Sequence, residues 1–515
     1  MFLVGIDIGT GGCGTTVLKE DGEVVSTAFE EYPTQHPKAG WAEQDPQDWI
    51  TGAKNTLKKV MDNPQISPSE VASICIDGTP HTPVLLDEDE DVIRPPILYT
   101  DKRSEEQANY LDREFGDLIF DITYNRPTQT WTMPMLLWVK QKEPETWKKI
   151  DRILLPKDYV RLKLCGDSAT DFTDAASTLL MDMERKNWSE ELCELIELPP
   201  DVLPPIVPPT EVAGELKKIG NGENIRKLEG TPVVTGADDV CAENFGAGLI
   251  EEGQFSLKLA TTGRVSWLTE KPYKYEREQH RIVTYPHVNS ETLLSGMAFT
   301  SPSESLRWLR DTFAHEEMCV AENMEKSVYE LMDIEAETVP EGSKGLIFHP
   351  HLGSFVTSVR GNFFGVQSYH RKKHFIRALL EGVSFSLKRG YNILKDEILQ
   401  ERKVQLKQEA VLLGGGARSE LWSQIMSDVF GIKMIIPRTA DASFGAALIG
   451  GIGVDIFDDF GDTLERCQIY SREVKPDSKS NSLYEELFSI YEDIENFLPK
   501  VSERLEKIYD QRNSE

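Results

Sequence analysis

Basic residues are scarce in this chain relative to acidic ones. Its 515 residues include 56 Lys and Arg against 86 Asp and Glu, which gives a formal net charge of −30 at pH 7. A protein that binds nucleic acid through the phosphates needs a basic surface, so we expect no nucleic-acid partner. Any bound polyphosphate must then be held by backbone dipoles, a metal ion and a few basic groups.

Long apolar runs and cysteine motifs are also missing. No apolar run approaches the roughly 20 residues of a membrane span, and the chain starts directly with a predicted strand, so we expect neither a membrane segment nor a signal peptide. The seven cysteines are scattered and form no C-x-x-C pair. This pattern favours reduced, cytoplasmic thiols over a disulfide framework or a zinc site. We therefore predict a cytoplasmic protein.

Two strand-turn-strand segments, one near the start of each half, are the most informative features of the sequence. Their turns read Gly9-Thr10-Gly11-Gly12 and Thr261-Thr262-Gly263. Such turns present backbone N–H groups and hydroxyls to an anion, because nothing bulky blocks the approach. The pair suggests a duplicated domain, with phosphate held in the cleft between the two copies.

The first turn also matches the dinucleotide-binding pattern G-x-G-x-x-G through Gly9, Gly11 and Gly14. That pattern requires a helix to begin at the glycines. Residues 15–25 instead predict a β-hairpin with an Asp-Gly turn, so we reject NAD binding. The chain contains no G-x-x-x-x-G-K-S/T loop, which excludes the P-loop mode of ATP binding.

Other predicted elements follow from periodicity and turn residues. In the first half we predict helices over about 103–115 and 143–165, and a loop over the Pro-rich residues 199–209. In the second half we predict a long helix at about 371–398 and a terminal helix from about 482 to 509.

Two carboxylates are candidates for chemistry near a polyphosphate. Asp7 lies two residues before the first turn, and Asp239 ends a strand and begins a helix, where ligands gather in α/β folds. One could orient a hydrated divalent cation and the other accept a proton from a hydroxyl. Asp239 could equally be a helix N-cap, and Asp238 competes for both roles.

Two further motifs have a binding and a structural interpretation. Gly414-Gly415-Gly416 follows an apolar strand, so a flat nucleobase could lie on it, or it could be only a tight strand-to-helix turn. His81 follows a buried strand and could donate a hydrogen bond to a polar ligand, although a lone His is more often structural.

An ordered set of short blocks, each weak by itself, extends over nearly the whole chain. The blocks lie at residues 5–10, 40–46, 100–103, 170–175, 235–239, 361–365, 381–385, 414–419 and 445–447. Together they resemble the FGGY carbohydrate kinase family, in particular its xylulokinase branch. The resemblance implies an α/β fold of two actin-like ATPase (ribonuclease H-like) domains with a cleft between them. It implies an N-terminal FGGY domain over 1–250, for sugar binding, the first phosphate loop and the catalytic Asp, and a C-terminal FGGY domain over 251–515 that binds ATP.

The resemblance also implies roles for individual residues. Asp239 matches the catalytic base and a substrate contact, His81 a sugar-contacting histidine, and Asp101 and Arg103 a pair near the sugar. Asp7 matches the metal-associated carboxylate, and we expect Asp239 to lie near the metal too. Thr10, Gly11 and Gly12 match the first phosphate loop of the family. Thr261, Thr262 and Gly263 match its second phosphate loop. Gly414, Gly415 and Gly416 match its adenosine-binding turn.

These roles predict an ATP- and Mg²⁺-dependent kinase that phosphorylates a terminal hydroxyl of a ketose, D-xylulose in the first instance. Three departures from the family pattern keep other interpretations open. Gly14 stands where relatives usually carry Lys or Arg, Pro80 replaces a Met, and the segment between His349 and Arg360 is shortened.

The open alternatives are a different substrate and a different class of protein. The substrate could be ribulose, erythrulose, a sugar alcohol, glycerol or gluconate. The protein could instead be a weakly catalytic nucleotide-binding sensor with the same fold. An actin- or chaperone-like ATPase is disfavoured by the sugar-side blocks at residues 41–46 and 100–103. A homodimer is expected only by analogy with relatives.

Overall fold

The structure is a computed structural model that describes residues 1–220, 222–260, 262–271, 282–300, 302–324, 326–352, 359–402, 404, 406–467 and 470–513. It divides into two compact units. Unit 1 consists of the described residues within Met1–Glu251, Thr269–Ser295 and Thr439–Ile469, and unit 2 of those within Glu252–Leu268, Gly296–Arg438 and Tyr470–Glu515. The predicted family domains, 1–250 and 251–515, stay a prediction beside this division.

Strands and helices alternate along the first half of the chain. The strands are β1 (Phe2–Ile8), β2 (Gly12–Lys19), β3 (Val24–Glu31), β4 (Val71–Gly78), β5 (Val84–Leu86), β6 (Arg152–Leu154), β7 (Thr170–Asp171), β8 (Met181–Asp182), β9 (Asn187–Trp188), β10 (Ile206–Val207), β11 (Val212–Glu215) and β12 (Pro232–Val234). The helices are α1 (Pro46–Met61), α2 (Glu105–Thr123), α3 (Thr132–Lys142), α4 (Pro144–Trp147), α5 (Pro156–Cys165), α6 (Phe172–Ala176), α7 (Glu190–Leu195), α8 (Glu223–Arg226) and α9 (Asp239–Gly246).

The second half continues with strands and longer helices. The strands are β13 (Phe255–Leu259), β14 (Gly263–Thr269), β15 (Val283–Pro286), β16 (Leu293–Thr300), β17 (Ile347–His349), β18 (Asn362–Phe364), β19 (Glu409–Leu413), β20 (Lys433–Pro437) and β21 (Tyr470–Val474). The helices are α10 (Pro302–Phe313), α11 (His315–Met324), α12 (Val328–Glu337), α13 (Lys372–Arg402), α14 (Glu420–Phe430), α15 (Ala442–Gly453), α16 (Phe460–Cys467) and α17 (Ser478–Asn513).

Both main sheets contain the same order of strands. The first runs β11-β12-β4-β1-β2-β3, and six strands of the second run β21-β20-β19-β13-β14-β16. In each, an antiparallel hairpin (β1 with β2, β13 with β14) has a parallel strand on its other side (β4, β19). The repeated order confirms the predicted duplication and the α/β class.

The first glycine-rich segment folds as the predicted hairpin and not as a helix. β2 pairs antiparallel with β3, and Asp21 and Gly22 form the turn between them. Gly22 has φ +79° and its N–H donates to Lys19 O at 3.0 Å. Because the β-branched residues 15–17 continue as a strand, no helix begins at Gly9 or Gly11, and the exclusion of a dinucleotide fold agrees with the structure.

The helix predicted over 143–165 is wrong as a single element. Residues 152–154 form β6, which pairs with β5 and separates α4 from α5. Pro144 and Pro156 each stand in the first turn of one of these helices, where Pro is favoured because the missing N–H has no partner in a helix start. The two prolines therefore mark two helix starts. Helix α3 was not predicted.

Helix α15 covers one face of β1. A Cβ on Gly5 would lie 1.8 Å from Ser443 O, so only glycine allows this close approach. Thr16 and Ser443 also share a hydrogen bond of 2.7 Å between their hydroxyls. Gly5 and Asp7 share a face of β1, since side chains alternate along a strand. Among the described helices none has the length and apolar character needed to cross a bilayer.

Candidate active site

The first glycine-rich turn connects β1 and β2 and is held by surrounding groups. Gly9 N–H donates to Gly12 O at 3.1 Å, and Gln44 Nε2 donates to Thr10 O at 2.7 Å. A Cβ on Gly11 would meet nothing within 4 Å. The turn is therefore a rigid loop with one open side, which suits the approach of an anion to backbone N–H groups.

A carboxylate that the sequence reading missed lies beside Asp7. β1 and β4 run parallel with Asp7 in register with Asp77, and Asp77 is fully buried. Burial raises the pKa of Asp77 well above its usual range, and the charges of Asp7 and Asp239 add to the effect. The three carboxyl groups are thus electrostatically coupled. A signal was present in the sequence, since an Asp that ends a buried strand just before a Gly is rarely without a role.

Asp238, and not Asp239, is the N-cap of α9. Asp238 Oδ1 accepts from the N–H groups of Val240 at 2.8 Å and Cys241 at 3.0 Å, and Asp239 is the first residue of the helix. The competition between these two residues is therefore decided for the cap. Asp239 therefore does not cap α9.

His81 is held from several directions in a strained backbone conformation. Its φ is +68°, a region that non-glycine residues adopt at a cost and most often at functional sites. The ring Nδ1–H donates to Ser177 O at 2.8 Å, so Nε2 is the acceptor for the Tyr285 hydroxyl at 2.9 Å. The Trp131 ring meets it edge-on, with centroids 4.6 Å apart. His81 is therefore fixed by polar and aromatic neighbours, of which Tyr285 was not predicted.

Asp101 and Arg103 form a buried ion pair that holds the segment before α1. Arg103 donates from Nε at 2.9 Å and from one terminal nitrogen at 2.7 Å to Asp101, and from the other at 2.7 Å to Glu43. Asp101 also accepts from Ala42 N–H at 2.6 Å, and the guanidinium lies 3.6 Å from the Trp41 ring centroid. Arg103 thus donates hydrogen bonds to Asp101 and Glu43 within the protein, and its contact with the ring positions Trp41.

A buried ionic cluster lies under the same region. Lys157 Nζ is within 3.0 Å of three carboxylates, those of Asp158, Asp171 and Asp174. Burial lowers the pKa of Lys157, but the charges of these three residues outweigh burial and raise it. Lys157 therefore stays charged and offsets part of the negative charge of the cluster. Asp171 and Asp174 belong to the sequence block at residues 170–175, whereas Lys157 was not predicted.

The cluster supports helix α6, which in turn supports two candidate site residues. Thr173 Oγ1 accepts from Asp238 N–H at 2.8 Å. Ser177 at the end of α6 accepts from His81 through both its carbonyl and its hydroxyl, the latter at 3.1 Å from His81 N. One short helix thereby holds His81, which is 96 positions from Ser177, and Asp238, which is 65 positions from Thr173.

In unit 2, the Gly414–Gly416 turn packs on the end of β13. Gly414 has φ +86° and ψ 175°, a conformation that is essentially restricted to glycine. A Cβ there would lie 2.5 Å from Leu259 O, and one on Gly416 would lie 2.7 Å from Leu259 Cβ, whereas one on Gly415 would meet nothing within 4 Å. The triple glycine thus allows close packing on the end of β13 and leaves an open surface at Gly415.

Not every predicted residue of the second turn can be placed. Thr262 and Gly263 follow β13, with Gly263 paired to Leu259, whereas Thr261 lies outside the described residues. So do residues 353–358 of the shortened segment. Ser419 is the N-cap of α14, and its hydroxyl accepts from Trp422 N–H at 2.9 Å, so a helix begins directly after the glycine-rich turn.

A duplicated α/β fold with glycine-rich turns, an acidic strand-end cluster and no P-loop defines the class of actin-like ATPase-fold kinases. The model of the FGGY family of carbohydrate kinases, N-terminal domain, matches residues 2–246, and that of the C-terminal domain matches 268–454. This chain belongs to the FGGY family of carbohydrate kinases, and it is an ATP-dependent sugar kinase.

Similar proteins extend over the full length. The chain is 30% identical over 505 residues to a xylulose kinase of Bacillus subtilis (strain 168), covering 96% of each chain. It is 28% identical over 467 residues to a gluconokinase of the same strain, covering 89% of each. A crystal structure of a xyloylose kinase from Brucella ovis matches with a TM-score of 0.84 and 26% identity, over 97% of this chain and 100% of that one.

Proposed function

We propose that this sugar kinase phosphorylates a terminal hydroxyl of D-xylulose with ATP. Full-length similarity to xylulose kinases supports this choice of substrate. A carbohydrate acceptor is also supported by the hydrogen-bonding and aromatic groups that surround His81, among them Trp131 and Tyr285. Polar groups beside aromatic rings are common in sites for small polar ligands.

Asp239 is the proposed catalytic base, and one observation carries this assignment. Because Asp238 caps α9, the Asp239 carboxylate does not serve as the cap, and its charge acts on Asp77 beside Asp7. In the proposed reaction Asp239 takes the proton of the sugar hydroxyl, and the oxygen of that hydroxyl forms a bond to the γ-phosphorus of ATP. The bond from that phosphorus to the β–γ bridging oxygen breaks, and ADP leaves.

Asp7 and Asp239 are the proposed carboxylates on the Mg²⁺ side. Within the described residues no group of three or more His, Cys, Asp or Glu could hold a metal ion. This fits Mg²⁺, which is usually bound through one or two carboxylates, with water and substrate phosphates as the other ligands. When bound with ATP, Mg²⁺ neutralises charge on the phosphate oxygens. Asp77 supports the site by its contact with Asp7.

The glycine-rich turns are the proposed nucleotide contacts. Thr10, Gly11 and Gly12 would bind phosphate in unit 1, and Thr262 and Gly263, together with the predicted Thr261, in unit 2. The open surface at Gly415 supports an adenosine site along the turn from Gly414 to Gly416. In each case backbone N–H groups supply the hydrogen bonds, which suits a chain with few basic residues.

The sugar side combines direct and indirect contacts in this proposal. His81 contacts the sugar. Asp101 and Arg103 were predicted near the sugar, and their observed bonds to Ala42 and Glu43 favour a positioning role through Trp41. Any direct contact of Arg103 with substrate stays a prediction.

The substrate assignment is tested by ADP release from ATP–Mg²⁺ with a panel of ketoses, polyols and gluconate. D-xylulose should give strong stimulation and the other compounds little. Turnover of gluconate in preference to D-xylulose would replace the substrate, an outcome that the gluconokinase relative makes worth including. Silence across the panel with ATP still bound would favour the sensor interpretation.

The base is tested with Asp239→Asn. Loss of a general base costs about 10²–10⁴ in rate, so kcat should fall by that factor while ATP binding stays unchanged. Asp201→Asn is the matched control, because Asp201 is exposed and does not belong to the carboxylates around Asp7. Near-normal turnover by Asp239→Asn would remove Asp239 from the role.

A further inference from the structure

The two glycine-rich hairpins have equivalent residue pairs next to their turns. In the first, Ile8 pairs with Cys13 at the turn, and the next pair is Asp7 with Gly14. In the second, Leu259 pairs with Gly263 at the turn, and the next pair is Lys258 with Arg264. Arg264 therefore stands in unit 2 at the position that Gly14 has in unit 1, where there is no side chain.

The Arg264 guanidinium has unmet hydrogen-bonding capacity. Its Nε and one terminal nitrogen are buried and have no hydrogen-bond partner among the described residues. A guanidinium is always charged, and a buried charged donor without a partner is costly. Such a group needs an explanation, and an anionic ligand supplies one.

The backbone beside Arg264 leaves room for its side chain. A Cβ on Gly296 of β16 would lie 2.7 Å from Arg264 Nε and 2.9 Å from Ser266 Oγ. With a glycine at 296, the Arg264 side chain lies against this strand. Its guanidinium therefore packs on the sheet.

A second cation shares this part of the hairpin. Lys258 and Arg264 are directly opposite each other in an antiparallel pair, where residues lie about 5 Å apart between Cβ atoms and like charges destabilise the pair. In a chain with a net charge of −30, the hairpin thus carries one cation just before the turn and one just after it.

We propose that Arg264 binds phosphate oxygens of ATP and is a nucleotide-contacting residue of this kinase. The inference depends on the proposed nucleotide site in unit 2. Arg264 directly follows Gly263, Gly263 pairs with Leu259, and the Gly414–Gly416 turn packs on Leu259. A planar guanidinium donates two parallel hydrogen bonds to phosphate oxygens, which would occupy the two unmet nitrogens.

The test compares ATP, ADP and adenosine binding to the full-length protein and to Arg264→Met, by calorimetry. Methionine has a similar length and removes the charge and the donors. Hydrogen bonds from a charged group support a weakening of ATP and ADP binding by about tenfold to a hundredfold. Adenosine has no phosphate, so its affinity should not change. Lys479→Met, on the exposed start of α17, removes one positive charge elsewhere in unit 2 and should leave all three affinities unchanged.

Two results would overturn the inference: wild-type ATP affinity in Arg264→Met, or an equal loss for adenosine and ATP, since the latter would indicate a general structural role. Should Arg264→Met fail to fold, Arg264→Lys serves instead. It retains the charge without the paired donors, so ATP should bind more weakly and adenosine equally well, and unchanged ATP affinity would count against the contact.

The outcome is separable from the proposed function. If the protein binds ATP but phosphorylates no sugar, the proposal that it phosphorylates D-xylulose is wrong, and the measurement of ATP binding by Arg264→Met remains valid. A chain that turns over D-xylulose with normal ATP affinity in Arg264→Met would end only this inference.

Discussion

At the second residue pair from the turn, the hairpin of unit 1 places Asp7 opposite Gly14, whereas that of unit 2 places Lys258 opposite Arg264. The backbones are alike: each hairpin is antiparallel and has a parallel strand beside its first strand. The charges are opposite. The comparison teaches that one repeated pattern of strand pairing can support two chemistries, because the side chains at equivalent register positions differ while the pairing of the strands does not. We assign the acidic hairpin to the metal side and the basic one to the phosphates.

The largest expected effect comes from the acidic hairpin. Asp7→Asn removes a charge that the proposed Mg²⁺ site needs, and loss of one group that stabilises transition-state charge costs about a hundredfold to a thousandfold in kcat. Lys258→Met at the equivalent position should cost about tenfold, the lower end of the range for one hydrogen bond to a charged group. Steady-state kinetics with Mg²⁺ titration measures both. Equal losses would break the assignment of separate roles.

A smaller effect is expected from the glycine-rich turn that lies against the second hairpin. Gly414→Ala forces a residue with a Cβ into φ +86° and against Leu259 O at 2.5 Å, which we expect to lower the free energy of unfolding by about 1–3 kcal/mol. Gly415→Ala meets nothing within 4 Å and should leave stability unchanged. Urea denaturation gives the comparison. If Gly415→Ala weakens only ATP binding, the open side of this turn is the nucleotide side.

The smallest effects are opposite pH dependences of stability in the two units. Burial lowers the pKa of His287 in unit 1 from 6.5 to about 4, against a hydrogen bond to Leu249 that raises it. The unfolded chain then binds more protons than the folded one in that window, so stability is present above pH 6.5 and is lost as pH falls towards 4. Burial raises the pKa of Asp333 in unit 2 from 3.8 to about 6. Its contribution is present below 3.8 and is lost as pH rises through 6.

Two variants separate these slopes. In urea denaturation between about pH 4 and 6.5, His287→Gln should flatten the rise of stability with pH, because the neutral amide keeps a donor and does not titrate. Asp333→Asn should flatten the fall. Changes of the same sign in both variants would contradict the assignment.

Local elements were predictable because their signals are local. The β-branched run after Gly14 and the Asp-Gly turn predicted the first hairpin, and the glycines predicted turns that tolerate close approach, as at Gly414. The single helix over 143–165 failed because helical periodicity continues through a proline, while the backbone does not, and β6 pairs with β5 from almost 70 residues earlier.

Partners distant in sequence could not be predicted. Asp77 lies beside Asp7 because β1 and β4 pair in parallel in one particular register. A shift of that register by one residue would turn every side chain of the strand to the opposite face of the sheet. Tyr285 meets His81 across 204 positions, and nothing in either local sequence indicates the other. The charged state of Lys157 depends on three carboxylates that only the fold brings together.

By itself, the sequence determined the two hairpins, the turn chemistry and the family, since each depends on residues close together in the chain or on their order. Only the tertiary structure decided that Asp238 takes the helix cap, that Arg103 is engaged by Asp101 and Glu43, and that two nitrogens of Arg264 are buried with no hydrogen-bond partner among the described residues. These depend on burial and on the exact spacing of groups from distant strands. Hydrogen bonds require this spacing to within a few tenths of an ångström, and no local pattern encodes it.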